Sequence, residues 1–237
     1  MNDSAAIRKI SVIIPVYNEE LYVEEVLKQL EGVSLPPPLQ MEIIVVDDGS
    51  TDQTSGILLR HSSSNLLKIH FQQRNFGKGA AIREGLNHAT GDIVIIQDAD
   101  LEYSVDDYPL LLEPIVTGRA QVVYGSRFSG HITGMKWPNR AFNILICTLV
   151  NWLFGSHMTD EATAYKVLKT DLIRSLNLES DRFEICPEIT AKVLRRGISI
   201  WEVPVRYQAR DHHQGKKIRW TDAFAAIFTL VRYAWFR

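Results

Sequence analysis

The stretch that decides the fold is Ile93-Val94-Ile95-Ile96-Gln97-Asp98-Ala99-Asp100-Leu101-Glu102. A continuous run of β-branched apolar residues predicts a short strand buried on both faces, and such strands belong to mainly parallel sheets sheathed in helices. Where the run ends, carboxylates occupy every second position, at Asp98, Asp100 and Glu102. Like charges this close need a cation to stay ionised together. Hard oxygen ligands of this kind suit Mg2+ or Mn2+, which keep waters and share their remaining positions with substrate phosphates. A divalent metal bridging a diphosphate is one reading of the cluster; a solvated acidic turn capping the next helix is the other.

Toward the N-terminus the alternation repeats. Residues 9–15 read as a buried strand and 19–30 as an amphipathic helix whose apolar set is Leu21, Val23, Val26, Leu27 and Leu30. Pro36-Pro37-Pro38 makes a stiff connection. A second strand at 41–46 runs into Asp47-Asp48-Gly49-Ser50, where a helix is expected with Ser50 or Thr51 as its cap and Asp52 in its first turn. Residues 66–71 and 79–89 give a third strand and a third helix. The fold class is therefore α/β, with a mainly parallel twisted sheet and helices on both faces. In such sheets ligands sit at the carboxyl ends of the strands.

Beyond Arg119 the pattern changes. A strand at 121–124 ends in Gly125-Ser126-Arg127, a Gly-rich loop is expected over 130–134, and a Trp/Phe-rich helix covers 143–154. Thr159-Asp160-Glu161, a helix at 187–196, a strand at 198–205 and a basic stretch at 206–219 follow. No repeat or linker interrupts the chain, so residues 1–237 read as one domain, with a nucleotide-binding half at about 9–119 and an acceptor-binding half at about 120–237.

Composition narrows the function classes. The 237 residues carry 26 Lys+Arg against 28 Asp+Glu, a formal charge of −2 that provides no basic excess for nucleic acid. Hydrophobic residues make up 46% and charged residues 23%, which excludes disordered and fibrous classes. Cys147 and Cys186 form no Cys-x-x-Cys pair, so neither a disulfide framework nor a cysteine-zinc site is expected, and a reducing cytoplasmic setting fits. The apolar segments 144–154 and 223–236 fall short of the ~20 residues that span a bilayer, yet both have the makeup of elements that lie on one.

The other strand ends carry their own chemistry. Arg74-Asn75-Phe76-Gly77-Lys78-Gly79 is neither a Walker sequence nor a dinucleotide fingerprint. It reads as a Gly-rich helix start whose free N–H groups and Lys78 can hold an anion, or simply as a helix cap. Asp48 can accept hydrogen bonds from a nucleobase imide or a ribose hydroxyl, and Tyr17 can pack on a base or sugar or serve as ordinary packing.

The ordered set Pro15-Val16-Tyr17-Asn18-Glu19, Val46-Asp47-Asp48-Gly49-Ser50-Thr51-Asp52, Asn75-Phe76-Gly77-Lys78-Gly79, Asp98-Ala99-Asp100 and Gly125-Ser126-Arg127 resembles glycosyltransferase family 2. Within that family it is similar to the polyprenol-phosphate (dolichol-phosphate) mannosyltransferase branch. The resemblance covers nearly all of residues 10–220. It implies a GT-A fold, a nucleoside diphosphate sugar donor such as GDP-mannose or UDP-glucose, a divalent metal and inversion at the anomeric carbon. It further implies transfer of mannose or glucose to a polyprenyl (dolichyl) phosphate, by an enzyme held peripherally at the cytoplasmic membrane surface.

By this resemblance Pro15, Tyr17, Glu19, Asp48 and Asp98 serve the donor, to which the helix-start reading adds Lys78, and Asp98, Asp100 and Glu102 serve the metal. Arg127, Arg210 and Lys217 hold the donor diphosphate and acceptor phosphate, with Asp100, Arg127 and Arg210 as the catalytic group. Glu102 stands where the branch often has Gln, and Arg210-Asp211-His212-His213-Gln214-Gly215-Lys216-Lys217 is longer than the usual basic segment and lacks its Ser. The chemistry is consistent: a lipid phosphate arrives ionised and needs positioning and cationic compensation rather than a base. A hydroxyl acceptor would instead need one, for which Asp160 or Glu161 is the candidate; helix capping is the other account of that pair. A saccharide-directed transferase and a non-catalytic nucleotide-sugar-binding module remain the alternatives.

Overall fold

The computed structural model describes residues 7–210 and 220–235, with backbone alone at 220–222. Seven strands make one sheet: β1 (Lys9–Val16), β2 (Gln40–Asp47), β3 (Leu67–Phe71), β4 (Ile93–Ile96), β5 (Val122–Thr133), β6 (Lys166–Lys169) and β7 (Trp201–Gln208), in the order β3-β2-β1-β4-β6-β5-β7. Neighbours pair in parallel except at β6, which runs antiparallel to both β4 and β5. The α/β class and the mainly parallel sheet are as the alternation predicts.

The period-two geometry of the strands divides the core. Ile10, Val12, Ile14 and Val16 of β1 join one apolar cluster with α1 (Val23–Gly32), α2 (Thr54–Arg60) and α4 (Tyr108–Val116). Ile13, with Ile44, Val94 and Ile96, joins the opposite cluster. That second face is covered by α3 (Lys78–His88), α5 (Trp137–Phe154), α6 (Thr170–Ser175), α7 (Ile185–Arg195) and α8 (Trp220–Trp235). Each fully buried Ile, Val or Leu contributes about 1.5–3 kcal/mol by removal from water. Pro15 sits opposite Val46, beyond Ile13, the last β1 residue paired with β4, so its missing N–H leaves that ladder intact.

Three expectations need correction. Residues 130–134 are largely strand, because β5 continues to Thr133 past an irregularity between Ser126 and His131. Gly130 marks a close approach of β7: a Cβ there would lie 2.1 Å from the Val205 carbonyl oxygen. The helix expected to be capped by Ser50 or Thr51 begins only at Thr54. Those polar residues instead latch the loop after β1: Asn18 N–H donates to Ser50 Oγ (2.9 Å) and Thr51 N–H to Asn18 Oδ1 (2.7 Å). The strand expected from residue 198 starts at Trp201.

Candidate active site

The carboxyl ends of β1, β2 and β4 bring Glu19, Asp48 and the Asp98–Glu102 acids to one edge of the sheet, as parallel topology requires. The acid loop is tightly wound. Leu101 has φ of 57°, a left-handed conformation unusual for a bulky residue, and Asp100 Oδ1 accepts the Glu102 N–H at 3.1 Å. Strain of this kind persists only where surrounding contacts over-determine it.

Those contacts come largely from the end of β7. Gln208 N–H donates to the Glu102 carbonyl (2.8 Å), Arg210 N–H to Glu102 Oε1 (3.0 Å) and Tyr207 Oη to Glu102 Oε2 (3.0 Å). The Arg210 side chain then reaches across the strand ends. One guanidinium nitrogen lies 3.0 Å from Asp100 Oδ2 and another 3.2 Å from Glu19 Oε2, and the group sits 5.4 Å from the centre of the Tyr22 ring. Burial first, then the charges of Asp98 and Glu102, push the Asp100 carboxyl above the ordinary range, against the pull of Arg210. The donor chemistry of Asp98, Asp100 and Glu102 is all oxygen, the kind of ligand that suits Mg2+ or Mn2+.

Lys78, at the start of α3, places Nζ 2.6 Å from Asp98 Oδ1. Burial opposes its charge, but Asp98 and the further field of Cys186 and Asp100 outweigh that and keep the ammonium protonated well above the usual lysine range. At the helix start some N–H groups are used within the protein: Phe76 and Gly77 donate to Asp48 Oδ1 and Oδ2 at 2.7 and 2.8 Å, and Ala80 donates to the Asp181 carbonyl at 3.0 Å. A Cβ on Gly79 would meet the Ser180 carbonyl oxygen at 2.3 Å, so the glycines admit the 180–182 backbone. Asp48, 2% exposed, thereby fixes the loop that carries Lys78.

Arg127 is 6% exposed and locked to Asp160, which has no exposed surface. Nε donates to Asp160 Oδ2 and one terminal nitrogen to Oδ1, both at 2.7 Å, while the Arg127 N–H donates to Oδ2 at 2.9 Å. The same terminal nitrogen reaches Asn143 Oδ1 of α5 at 3.2 Å, and the guanidinium carbon lies 5.1 Å from the Tyr207 ring centre. Arg127 thus ties β5, α5 and β7 together beside the acid loop. Glu161 is also interior: burial raises its pKa and Thr190 Oγ1 donates to it at 3.1 Å. Pro15 and Tyr17 lie at the same sheet edge, both partly buried. Lys217, with His212, His213, Lys216 and Arg219, lies outside the described residues.

Sequence reasoning overlooked Tyr22, Tyr207 and Asn143. The first two fall three positions after Glu19 and three before Arg210 in sequence, but the fold sets the Tyr22 ring against Arg210 and the Tyr207 hydroxyl on Glu102.

Comparison with known proteins accords with this geometry. The undecaprenyl-phosphate 4-deoxy-4-formamido-L-arabinose transferase of Edwardsiella ictaluri (strain 93-146) is 32% identical over 219 residues, covering 91% of this chain and 65% of that protein. The like-named transferase of Pseudomonas fluorescens (strain SBW25) is 28% identical over 210 residues, covering 87% and 59%. The chain thus spans about three-fifths of the length of these relatives.

Among solved structures, glucosyl-3-phosphoglycerate synthase from Mycobacterium tuberculosis in complex with Mn2+, UDP and glucosyl-3-phosphoglycerate superposes with a TM-score of 0.74. It is 22% identical, and the match covers 97% of this chain and 81% of that one. The same synthase with Mg2+ and UDP gives a TM-score of 0.73 at 20% identity, covering 97% and 80%. The shared architecture is the GT-A fold. Residues 11–176, which run from β1 to the end of α6 and include the acid loop, match the description Glycosyl transferase family 2, and the chain belongs to that family.

Proposed function

We propose that this chain carries a metal-dependent, inverting transfer of a sugar from a nucleoside diphosphate donor to a polyprenyl phosphate at the cytoplasmic membrane face. The observation that carries the reading is the acid loop at the sheet edge, where Arg210 lies against Asp100 and Glu102 and Lys78 against Asp98. Asp98, Asp100 and Glu102 would hold Mg2+ or Mn2+, which supplies neutralisation of the charge on the departing diphosphate. Glu19, Tyr17, Pro15 and Lys78 line the donor side, and Asp48 supports it through the 74–79 loop. Arg210 orients the attacking phosphate against the anomeric carbon, and a single in-line displacement inverts that centre. Lys217 is assigned to the same phosphates.

A phosphate acceptor is favoured over a hydroxyl by the fate of Asp160 and Glu161. Both are buried, and Asp160 is committed to Arg127, so neither serves as a base. The undecaprenyl-phosphate transferases among the relatives support the same acceptor class. Each of two helices also presents an apolar stripe at helical spacing, Trp137, Ile144 and Trp152 on α5 and Phe224, Phe228 and Trp235 on α8, as a lipid-facing surface requires. No helix among the described residues is long and apolar enough to cross a membrane.

The sugar follows the resemblance as mannose or glucose, while the relatives carry a formamido-arabinose. The test is label transfer to undecaprenyl phosphate in vesicles, with GDP-mannose, UDP-glucose and the activated form of the relatives' sugar as donors, with and without Mn2+. Lipid-linked product that requires Mn2+ and disappears in Asp100→Asn is expected. Label confined to soluble saccharide would overturn the acceptor assignment.

A further inference from the structure

We propose that His70, Glu84 and His88 form a second cation site, built for Zn2+ and separate from the carboxylates of the sheet edge. His70 lies on β3, the edge strand, opposite Val46, whose side chain belongs to the α3-facing cluster. Glu84 and His88 sit one turn apart on α3, so a single helix face turns both toward that strand. One ligand atom from each of the three residues lies within 4.8 Å of the others. His88 Nε2 and Glu84 Oε1 are already 2.8 Å apart. Two ligands at about 2.0–2.1 Å from a tetrahedral ion stand roughly 3.3 Å from each other. Closing the set takes a shift of about 1.5 Å or less in the ligand atoms and the turning of one imidazole out of the present stack, so that both in-plane lone pairs meet at the ion, a movement within reach of these partly exposed side chains.

Two features point to a ligand rather than to packing. His70 Nε2 is shielded from solvent and has no hydrogen-bond partner, which is costly for an imidazole nitrogen unless something binds it. The two rings are stacked with centres 3.6 Å apart and planes 13° apart, so double protonation would set two positive charges face to face. Two imidazoles with one carboxylate match zinc, nickel or cobalt better than Mg2+, which prefers oxygen throughout. Water fills the fourth position.

Access is available. Glu84 borders a cavity of about 510 Å3 between α3 and α6, lined also by Gln72, Arg83, Asn87 and Arg174. On binding, the ion takes the Nε2 lone pair of His88, whose ring proton then sits on Nδ1. Lys78 at the N-terminus of the same helix is six residues from Glu84, about 9 Å of helix rise, so the ion would staple the edge strand to the helix that positions Lys78 against Asp98.

The test uses the full chain carrying Asp98→Asn and Asp100→Asn, which removes the oxygen-rich site as a competing ligand set. Titration calorimetry with Zn2+ alone should give one equivalent bound, a raised Tm reversed by chelator, and no competition from excess Mg2+. Co2+ in place of Zn2+ should give the visible absorption of a tetrahedral nitrogen and oxygen site. His70→Gln and His88→Gln should each lower affinity by at least about tenfold, the least that even outer-shell partners of a metal are worth. Circular dichroism of each variant identifies any that fails to fold, and Glu84→Gln, on the more exposed side, then serves in its place. Absence of Zn2+ binding, or binding unchanged in the His70→Gln/His88→Gln double variant, would overturn the proposal.

Discussion

Arg210 lies 3.0 Å from Asp100, joining the segment after β7 to the acid loop after β4 across 110 positions of sequence. Asp100 is buried and Arg210 partly so, and the pair sits within a patch of carboxylates, where a preorganised cation acts in reduced dielectric and needs no reorganisation during reaction. Arg210→Ala is expected to lower kcat by about 10²–10³, the range seen when one preorganised donor is removed. Mn2+ should still raise Tm in this variant, because the three acids remain. A kcat equal to the parent's would count against the assignment of Arg210 to the reacting phosphates.

Arg127 and Asp160 answer a different question. Both are buried and joined by two side-chain hydrogen bonds of 2.7 Å, so removal of either leaves an uncompensated interior charge. Arg127→Ala and Asp160→Ala are each expected to cost about 3–5 kcal/mol of stability, read as a fall in Cm without a large change in m. In the double variant the two losses should be strongly non-additive. An Arg127→Ala protein with unchanged Cm but reduced kcat would identify Arg127 as a phosphate contact rather than a tie between β5 and α5.

The first half of this fold was legible because its signals are local. Ile93 to Ile96 are apolar and β-branched, and the observed β4 has the same bounds as the expected strand. The second half was harder to read. Lys166-Val167-Leu168-Lys169 forms β6 although it is short and flanked by lysines; Lys166 is fully buried because its Nζ donates to the Glu161 carbonyl at 2.6 Å and lies over the Tyr124 ring, and no sequence pattern announces such partners. At the site, residue identity revealed the acids, but not which of their oxygens were already in use. Asp48 looks like a free acceptor in sequence, and it is the fold that brings the Phe76 and Gly77 N–H groups onto it.

Gly77 supports the 74–79 loop by its backbone. Its φ of 110° and ψ of 161° fall in a region open essentially to glycine, and a Cβ would lie 2.4 Å from the Asp181 carbonyl oxygen. Gly77→Ala is expected to lose at least about 1–3 kcal/mol from the backbone conformation alone, together with weaker donor binding as the Lys78–Asp98 contact shifts. Denaturant unfolding and donor titration check the two effects separately; an unchanged Cm would show that the loop accommodates a side chain.

Glu42 sets the pH dependence at the opposite end of the sheet. Burial would raise its pKa, but hydrogen bonds from Lys68, Ser11, Lys9 and the Thr90 N–H outweigh burial and hold the carboxyl far below the usual range. A depressed folded-state pKa means that the stabilisation is complete above the ordinary value of about 4.5 and is lost as pH falls toward the folded pKa. Glu42→Gln should therefore have a lower Tm than the parent at pH 7, with the gap narrowing steadily below pH of about 4.5. A gap that stays constant through the acid range would show that the carboxylate charge contributes nothing.

The aromatic stripes of α5 and α8 lead to the last expectation. Trp137 and Trp152 are 78% and 73% exposed, and Phe224 and Phe228 are 65% and 67% exposed, more apolar surface than scattered single residues usually present to water. The helices touch each other, so their stripes belong to neighbouring elements. Each large side chain transferred from water to the acyl boundary contributes on the order of 1.5–3 kcal/mol, so replacing Trp152 and Phe228 together with Ser should lower vesicle binding by about tenfold or more. Co-sedimentation with vesicles of anionic and of neutral lipid measures this, and transfer to a short-chain, water-soluble prenyl phosphate should survive the substitutions. Equal sedimentation of parent and variant would assign these stripes to contact with other protein surfaces and leave lipid access to a different part of the chain.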